Sequence, residues 1–220
     1  MVVYLGEFTK KNSCAAYLLE KHGWGRMWAS RVNLSLDELV DGEPVGFDNG
    51  AYGAWDKKSP MFWRNFPSKL LLRRIDGMPR IPNLAVAPDL PMAGNDSLSF
   101  SVTWRRKLPD EWPWYLAVQD GVSKELVEGN IDHFDGLFLG GSNEFKLGAE
   151  EWCNLAHRHG KKFHYGRAST YKRVREARLI GADSIDSITP VLRLVDGHTR
   201  AFTRWEQEAT NRNPQMELIT

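Results

Sequence analysis

The amino-acid sequence predicts an α/β fold, a compact (β/α)8 barrel formed by a single domain. Short apolar or β-branched segments alternate along the chain with longer amphipathic ones, a pattern typical of a parallel sheet with helices packed outside it. The 220 residues give each of eight strand–helix units about 27 residues, and closed barrels of this kind begin at about 200 residues. The alternative is an open doubly wound sheet, but its usual G-x-G-x-x-G turn after the first strand is missing.

The predicted strands are short runs of apolar residues bounded by turn-forming or charged residues. In chain order they cover residues 2–5, 27–32 (the weakest), 45–47, 84–87, 115–118, 136–139, 162–165 and 184–185. The predicted helices cover residues 13–21, 60–75, 148–160, 170–180 and 198–211. Gly160 and Gly181 end two of these helices as C-capping residues. The domain is predicted to span residues 1–212, with residues 213–220 as a loose C-terminal tail.

The composition excludes several classes of protein. A chain that is 42% hydrophobic and 26% charged is typical of a folded domain and not of a disordered one. Its formal net charge is only +1, so a nucleic-acid partner has to be bound by a local basic patch. The two cysteines, Cys14 and Cys153, are too few for a disulfide framework or a four-cysteine zinc module. No apolar run approaches the ~20 residues of a membrane span, and the N-terminus carries charge too early for a signal peptide, so we expect a cytoplasmic protein with no membrane partner.

Polar residues or glycines follow almost every predicted strand. These segments are Asp48-Asn49-Gly50, Asp89, Gln119-Asp120-Gly121, Gly140-Gly141-Ser142, Gly166-Arg167 and Asp186. Because the carboxyl ends of parallel strands share one rim, we expect these residues to form one site there. A single Asp after a strand is often only the N-cap of the next helix, and a glycine pair is often only a tight turn. Capping alone, however, does not explain Gln119 or the paired glycines.

Other candidate sites carry less weight. Cys153 and His157 lie four residues apart on a predicted helix, but no second pair of ligands has a suitable spacing, so no metal site is expected. His164 is expected to be a packed, hydrogen-bonded core residue. The sequence has neither a G-x-S-x-G elbow nor a P-loop, which argues against a serine hydrolase and a nucleoside triphosphatase.

Basic residues are concentrated at a few places along the chain. A solvated face is the default interpretation for each cluster, including the one that contains Arg73 and Arg74. The helix that carries Lys172 and Arg173 begins at the same rim as Arg167. At that position, contact with the phosphates of a nucleic acid competes with the default interpretation.

The strand-end segments, in this order, resemble the tRNA-guanine transglycosylase superfamily. The matching segments are residues 47–52 (FDNGAY), 87–89 (APD), 117–121 (AVQDG), 139–142 (LGGS), 165–167 (YGR) and 181–187 (GADSIDS). They extend over about residues 45 to 190, most of the chain. The closer likeness is to the short, often phage-encoded DNA 7-deazaguanine transglycosylases, which would place the protein in a host cytoplasm. The superfamily has a (β/α) barrel, in agreement with the predicted fold.

The resemblance implies catalytic roles for two carboxylates. Asp186 corresponds to the nucleophile, and Asp183, three residues earlier, is the alternative. Asp48 corresponds to the general acid/base. Exchange of a base cleaves the glycosidic bond at C1′, and a carboxylate on the opposite face of the sugar can form a covalent aspartyl-glycosyl intermediate. This chemistry requires no metal or redox cofactor.

The resemblance also implies how the base and the polymer are bound. Asp89 corresponds to the carboxylate that accepts from the guanine N1–H and exocyclic amine. Gln119 and the backbone of Gly140 and Gly141 correspond to the donors to the base O6. Tyr52 and Tyr165 correspond to the rings on the two faces of the base, and Gly166, next to Tyr165, to a substrate-binding residue. The expected contacts with the nucleic acid are Arg167, Lys172 and Arg173. A base inside a duplex cannot reach such a pocket, so the polymer has to be single-stranded or the guanine flipped out.

The resemblance has departures that bear on the substrate. The tRNA enzymes carry a zinc module of three cysteines and a histidine, whereas this chain has no cysteine after Cys153. We therefore expect exchange of guanine in DNA for a free 7-deazaguanine base, such as the 7-cyano form. A compact tRNA-guanine transglycosylase, a catalytically silent partner that binds nucleic acid or base, and a hydrolytic glycosylase remain alternatives. Residues 142–146 differ from those of the tRNA enzymes, so the identity of the incoming base stays open. The need for helper proteins and the formation of a homo-oligomer stay open as well.

Overall fold

A computed structural model of the chain describes residues 1–6, 13–28, 39, 42–55, 68–195 and 199–211. Within these residues, eight parallel strands close into a barrel in chain order. They are β1 (Val2–Leu5), β2 (Gly25–Trp28), β3 (Val45–Phe47), β4 (Leu84–Val86), β5 (Trp114–Val118), β6 (Gly136–Leu139), β7 (Lys162–Tyr165) and β8 (Ser184–Ser187). The predicted barrel is confirmed, and the open doubly wound sheet is excluded.

Helices of the described residues follow the strands. They are α1 (Ser13–His22), α2 (Ala51–Trp55), α3 (Ser68–Asp76), α4 (Asn95–Arg105), α5 (Lys124–Glu128), α6 (Ala149–Arg158), α7 (Tyr171–Leu179), α8 (Thr189–Val195) and α9 (Thr199–Thr210). Gly160 and Gly181 have φ angles of 66° and 81°, the left-handed conformation expected of C-capping glycines. No helix in this part of the chain has the length and apolarity needed to cross a membrane.

Several element boundaries differ from the prediction. Strand β2 begins at Gly25, two residues earlier than expected, and residues 29–32 lie outside the described residues, as do residues 60–67 and the predicted tail at 213–220. Helix α4 was not predicted, because its serine- and threonine-rich sequence, NDSLSFSVTWR, consists largely of residues that favour caps and turns over helix interiors.

The barrel interior and the helix-facing layer form separate clusters. The inner cluster contains Tyr4, Met27, Leu84, Val86, Tyr115 and Ala117, with Phe138 packed against it. The outer cluster, between strands and helices, is larger and includes Phe163, Tyr165 and Ile185. Side chains alternate between the two faces of a strand, so His164 points into the barrel, whereas its neighbours Phe163 and Tyr165 point outward.

Closure of the barrel places the last strand, β8, beside the first strand, β1. Strand β8 pairs with β1, with Tyr4 opposite Asp186, and with β7, with His164 opposite Ser184. The inward residues of β7 and β8 therefore become direct neighbours just below the carboxyl-terminal rim.

Candidate active site

An open pocket lies at the carboxyl ends of the strands. Its lining residues are Asp48, Asn49, Tyr52, Val86, Asp89, Pro91, Ala117, Gln119, Phe138, Gly140, Gly141, Arg167 and Asp186. It contains about 600 Å³ of empty space, a volume that includes open solvent at its mouth. The structure thus brings the predicted carboxylates from β3, β4 and β8 to one cavity, while their roles in catalysis stay predictions.

Asp186 presents two unequal oxygens to its surroundings. Its Oδ1 accepts hydrogen bonds from His164 Nε2 at 3.0 Å and from the backbone N–H of Arg167 at 2.9 Å. Its Oδ2 has no hydrogen-bond donor among the described residues. Burial acts to raise the pKa of this carboxyl, but the bond and charge of His164, the Arg167 N–H and the charge of Lys146 hold the pKa below its usual value. The side chain is therefore an ionised carboxylate with one oxygen available at the pocket, as a nucleophile requires.

Asp183 lies at the opposite end of the barrel and does not compete for this role. Its carboxylate accepts from Lys162 Nζ at 2.9 Å, from the Phe163 N–H at 2.8 Å and is 3.0 Å from His157 Nε2. Burial acts to raise its pKa, and these three partners together lower it. Asp183 therefore ties β7, α6 and β8 together, and it is excluded as the nucleophile of this pocket.

The backbone around Asp48 is held by a helix that follows it. Asp48 Oδ1 accepts from the Gly50 N–H at 2.8 Å, and the Asp48 carbonyl accepts from Arg74 Nη2 at 2.8 Å. The Arg74 guanidinium also lies 4.8 Å from the centre of the Phe47 ring. The expectation of a solvated face at Arg74 is therefore wrong, because this residue of α3 fixes the end of β3.

Asp89 sits in a buried network of amides. Asn49 Nδ2 donates to Asp89 Oδ1 at 2.7 Å and to the Ala87 carbonyl at 2.6 Å, and Gln119 Nε2 lies 3.3 Å from Asp89 Oδ2. Burial raises the pKa of Asp89 to about 7, against the bonds from the two amides and with a further contribution from the charge of Asp48. Asp89 therefore holds its proton more tightly than an exposed aspartate does.

Gln119 uses its side-chain amide inside the protein. Its Nε2 donates to the Leu90 carbonyl at 2.9 Å and to Ser97 Oγ at 2.8 Å, and its Oε1 accepts from the Met92 N–H at 2.7 Å. The expectation that Gln119 donates to a base oxygen is therefore corrected. It holds Asp89 and the β4–α4 loop, where Met92 has a φ of 65°, an uncommon conformation for a residue other than glycine.

The glycine pair after β6 provides a single available donor. The Gly140 N–H donates to the Val118 carbonyl at 2.9 Å, whereas the Gly141 N–H has no acceptor among the described residues. Gly141 has a φ of 73°, and a Cβ there would lie 2.6 Å from Asp120 Oδ2. The same oxygen accepts from the Ser142 N–H at 2.6 Å, so Asp120 fixes the turn that exposes Gly141. Of the two predicted donors, Gly141 is the one that the geometry favours.

Tyr52 and Arg167 meet across the mouth of the pocket. The Arg167 guanidinium lies 4.5 Å from the centre of the Tyr52 ring and donates to the Gly141 carbonyl. Tyr52 remains 47% exposed. Arg167 has a φ of 53°, which turns its backbone N–H toward Asp186 while its side chain reaches over the opening.

Tyr165 does not reach the pocket. It is fully buried in the outer core, and its hydroxyl donates to Glu176 at 3.0 Å and accepts from Arg173 Nη1 at 3.0 Å. The prediction that Tyr165 covers a face of the base is therefore wrong, because it follows the inward-pointing His164 on the strand. Phe138, from the neighbouring strand β6, forms part of the pocket floor instead.

Two further predicted site residues have structural positions. A Cβ on Gly166 would lie 2.7 Å from the Leu139 carbonyl and 2.8 Å from the Phe138 ring, so Gly166 allows close approach of the chain and does not line the pocket. The Arg173 guanidinium pairs with Glu176 at 2.9 Å and donates to the Asn143 carbonyl at 3.2 Å. Its predicted contact with nucleic acid is therefore corrected to a bridge between α7 and the loop after β6. Lys172 is exposed on α7.

The prediction of His164 as a packed, hydrogen-bonded core residue is confirmed, since it is fully buried and contacts Ser184 and Asp186. Sequence reasoning did not single out Asn49 and Lys146, which the structure places beside the predicted carboxylates. Asn49 could have been found, since it lies within the matching segment after β3. Lys146 gave no signal, yet it is only 2% exposed, and its Nζ donates to the Gly166 carbonyl. Burial and the neighbouring Arg167 lower its pKa to about 7, while the charge of Asp186 opposes that shift.

The remaining observations bear on metals and on related proteins. In the described part of the chain, no group of three or more His, Cys, Asp or Glu residues is arranged to hold a metal ion. A scan against protein-family models and a search of curated proteins both find no match to the chain.

Proposed function

We propose that the protein exchanges guanine in DNA for a 7-deazaguanine base through a covalent aspartyl-glycosyl intermediate. The observation that carries the proposal is Asp186, an ionised carboxylate with Oδ1 held by two donors and Oδ2 open to the pocket that Asp48 and Asp89 also line. Base exchange requires this combination of a nucleophile, a second acid/base carboxylate and an acceptor for the base edge.

In the proposed first step, Asp186 Oδ2 forms a bond to C1′ of a guanosine nucleotide while the C1′–N9 bond breaks. The electron pair of that bond leaves with the base, and Asp48, ionised in the free protein, takes up a proton from solvent and passes it to the base. In the second step, the carboxylate of Asp48 takes the N9 proton of the incoming base. Its N9 then attacks C1′, and the C1′–Oδ2 bond breaks with its electron pair returning to Asp186.

Guanine and 7-deazaguanine present the same hydrogen-bonding edge to the protein. Asp89, once ionised, accepts from the N1–H and the exocyclic amine, and the Gly141 N–H donates to O6, where negative charge develops as the base departs. Adenine would reverse this pattern and leave buried groups unpaired, at a cost of about 1–3 kcal/mol for each. Selection of the base therefore depends on one carboxylate and one backbone donor.

The base stacks on fewer aromatic rings than the resemblance implies. Tyr52 offers one face at the mouth, but Arg167 lies over that ring in the empty pocket. We propose that an entering base displaces the Arg167 guanidinium, which then becomes available to a phosphate of the DNA. Val86, Ala117 and Phe138 line the apolar floor below it.

The deciding experiment supplies the pure protein with 7-cyano-7-deazaguanine and with DNA or tRNA that carries labelled guanine. We expect release of guanine from DNA and a covalent protein–DNA species on denaturing gels. Asp186→Asn should abolish both, because an amide lacks the nucleophilic oxygen, whereas Asp110→Asn, at a 95% exposed side chain, should change neither.

The other outcomes distinguish the alternatives. Release of guanine from tRNA alone indicates the compact tRNA enzyme, and release of guanine without incorporation of the second base indicates a hydrolase. An Asp186→Asn variant that retains full exchange activity would refute the nucleophile assignment.

A further inference from the structure

A buried histidine contacts the proposed nucleophile from inside the barrel. His164 is completely buried on the inner face of β7. Its Nε2 lies 3.0 Å from Asp186 Oδ1, and its Nδ1 lies 2.8 Å from Ser184 Oγ. Ser184 is opposite His164 in the β7–β8 register and two residues before Asp186 on the same inner face. The three side chains form a continuous hydrogen-bonded row that ends at the pocket.

Packing holds the imidazole ring in this orientation. The His164 ring stacks on Phe138, with ring centres 4.6 Å apart and planes inclined by 14°, and the Tyr4 ring centre lies 6.0 Å away. Phe138 and Asp186 both line the pocket, but His164 does not. The imidazole therefore cannot touch a substrate, and any effect on the reaction passes through Asp186.

We infer that His164 is a positioning residue, which together with Ser184 orients the Asp186 carboxylate so that Oδ2 faces the sugar. This inference rests on the proposed function for its catalytic meaning, although the contacts themselves do not. An ionised carboxylate only accepts hydrogen bonds, so the His164 Nε2 that contacts Asp186 carries a proton. The Ser184 hydroxyl, which can donate or accept, is the partner of Nδ1 and fixes the orientation of the ring.

The hydrogen bond from His164 to Asp186 also affects the second step of the proposed reaction. When the C1′–Oδ2 bond breaks in the second step, negative charge returns to the carboxylate, and the Nε2–H donor stabilises that charge. His164 therefore favours departure of Asp186 and opposes accumulation of a stalled intermediate.

Other charged groups around Asp186 have to be considered in any titration. Lys146 acts on it from the loop after β6, and the N–H of Arg167 from the loop after β7. Asp48 and Asp89 share the pocket from β3 and β4. Tyr4 on β1 is opposite Asp186 in register. Substitution of His164 removes only one of the groups that act on the Asp186 pKa, and the other charged groups are the same in every variant.

The test compares His164→Leu, which removes the donor, with His164→Gln, whose side-chain amide can still donate toward Asp186. The Asp186 carboxyl is titrated by ¹³C NMR, with its signal assigned from Asp186→Asn, and exchange rates are measured across pH. In His164→Leu we expect a higher Asp186 pKa and, at a pH at which Asp89 is ionised, an exchange rate about 10- to 100-fold lower, the equivalent of one charged hydrogen bond. His164→Gln should recover most of the rate.

A matched control is His157→Gln, because His157 lies on α6 at the opposite end and pairs with Asp183. It should leave both the Asp186 titration and the rate profile unchanged. An unchanged Asp186 titration in folded His164→Leu would overturn the inference whatever the activity. A shifted titration in a protein that exchanges no base in DNA or tRNA would instead uphold the positioning role and reject the proposed function.

Discussion

At the scale of single residues, two carboxylates that line the same pocket differ because their hydrogen-bond donors differ. Asp186 receives hydrogen bonds from a histidine and a backbone N–H and lies near a lysine, and together they hold its pKa low in spite of burial. Asp89 receives only neutral amide donors and faces the charge of Asp48, so burial prevails and its pKa rises to about 7. The first arrangement suits a nucleophile, and the second suits an acceptor that ionises when base donors arrive.

This difference predicts the pH dependence of base binding. Asp89 is protonated below about pH 7 and has to lose its proton before it accepts two donors from a guanine-type base. The affinity for 7-cyano-7-deazaguanine should therefore fall as pH decreases from 7.5 to 5.5, approaching about tenfold per pH unit. Isothermal titration calorimetry in buffers of different ionisation enthalpy should show proton release on binding at pH 6.

The control for this titration is Asp48→Asn, which removes the neighbouring charge. It should lower the Asp89 pKa and move the loss of affinity to lower pH, because the two carboxylates repel each other. An affinity that is independent of pH over this range would contradict the role of Asp89.

At the scale of elements, strand β7 and the loop after it place consecutive residues in three different environments. Strand β7 turns His164 into the barrel and Tyr165 into the helix layer, and the chain then passes the Phe138 ring at Gly166. Arg167 follows in a left-handed conformation that directs its N–H to Asp186. The direction of each residue depends on that of the residue before it. The hydrogen bond from the Arg167 N–H to Asp186 therefore depends on close packing at Gly166.

Gly166→Ala tests this dependence. The added methyl group would meet the Leu139 carbonyl and the Phe138 ring at less than van der Waals distance, and overpacking of this kind costs about 1–3 kcal/mol. We expect a lower free energy of unfolding in urea and slower base exchange, since the Phe138 ring, which lines the pocket, has to shift. Gly148→Ala is the control, because a Cβ at Gly148 has no atom within 4 Å and the φ of Gly148 is −89°. Equal stability of the two variants would show that the strand end tolerates displacement.

At the scale of the whole molecule, the fold and not the composition determines where charged side chains lie. The net charge is only +1. At the amino-terminal end of the strands, Asp183 pairs with Lys162 and His157. At the carboxyl-terminal end, Arg167 lines the pocket, and Lys172 is exposed on α7, the helix that follows. We expect these two cations to attract a polyanion.

The salt dependence of DNA binding tests this distribution. Arg167→Ala and Lys172→Ala should each weaken binding of a single-stranded oligonucleotide and reduce the slope of log K against log salt by about 0.7, the value for one lost phosphate contact on a single strand. Arg158→Ala, at the end of α6 away from the pocket, should leave the slope unchanged. Equal slopes in all three variants would place the strand elsewhere on the surface.

The order of the residues alone predicts the barrel and the rim at which the polar residues meet. Alternation of strands and helices is local information, and the position of Asp48, Asp89 and Asp186 at or just after strand ends carries them to the same end of any parallel barrel. A tight turn is the default interpretation of the glycine pair, and Gly141 does have a left-handed φ of 73°.

The contacts of each of these side chains follow from the folded barrel and not from the order of the residues. The face of the strand occupied by Tyr165, the internal bonds of Gln119 and the contact of His164 with Asp186 depend on the register of strands that are distant in sequence. A side chain reverses its direction with a shift of one residue along a strand, and a hydrogen bond is made or lost within a few tenths of an ångström. Such distances are set by the packing of the whole barrel and are absent from the order of the residues.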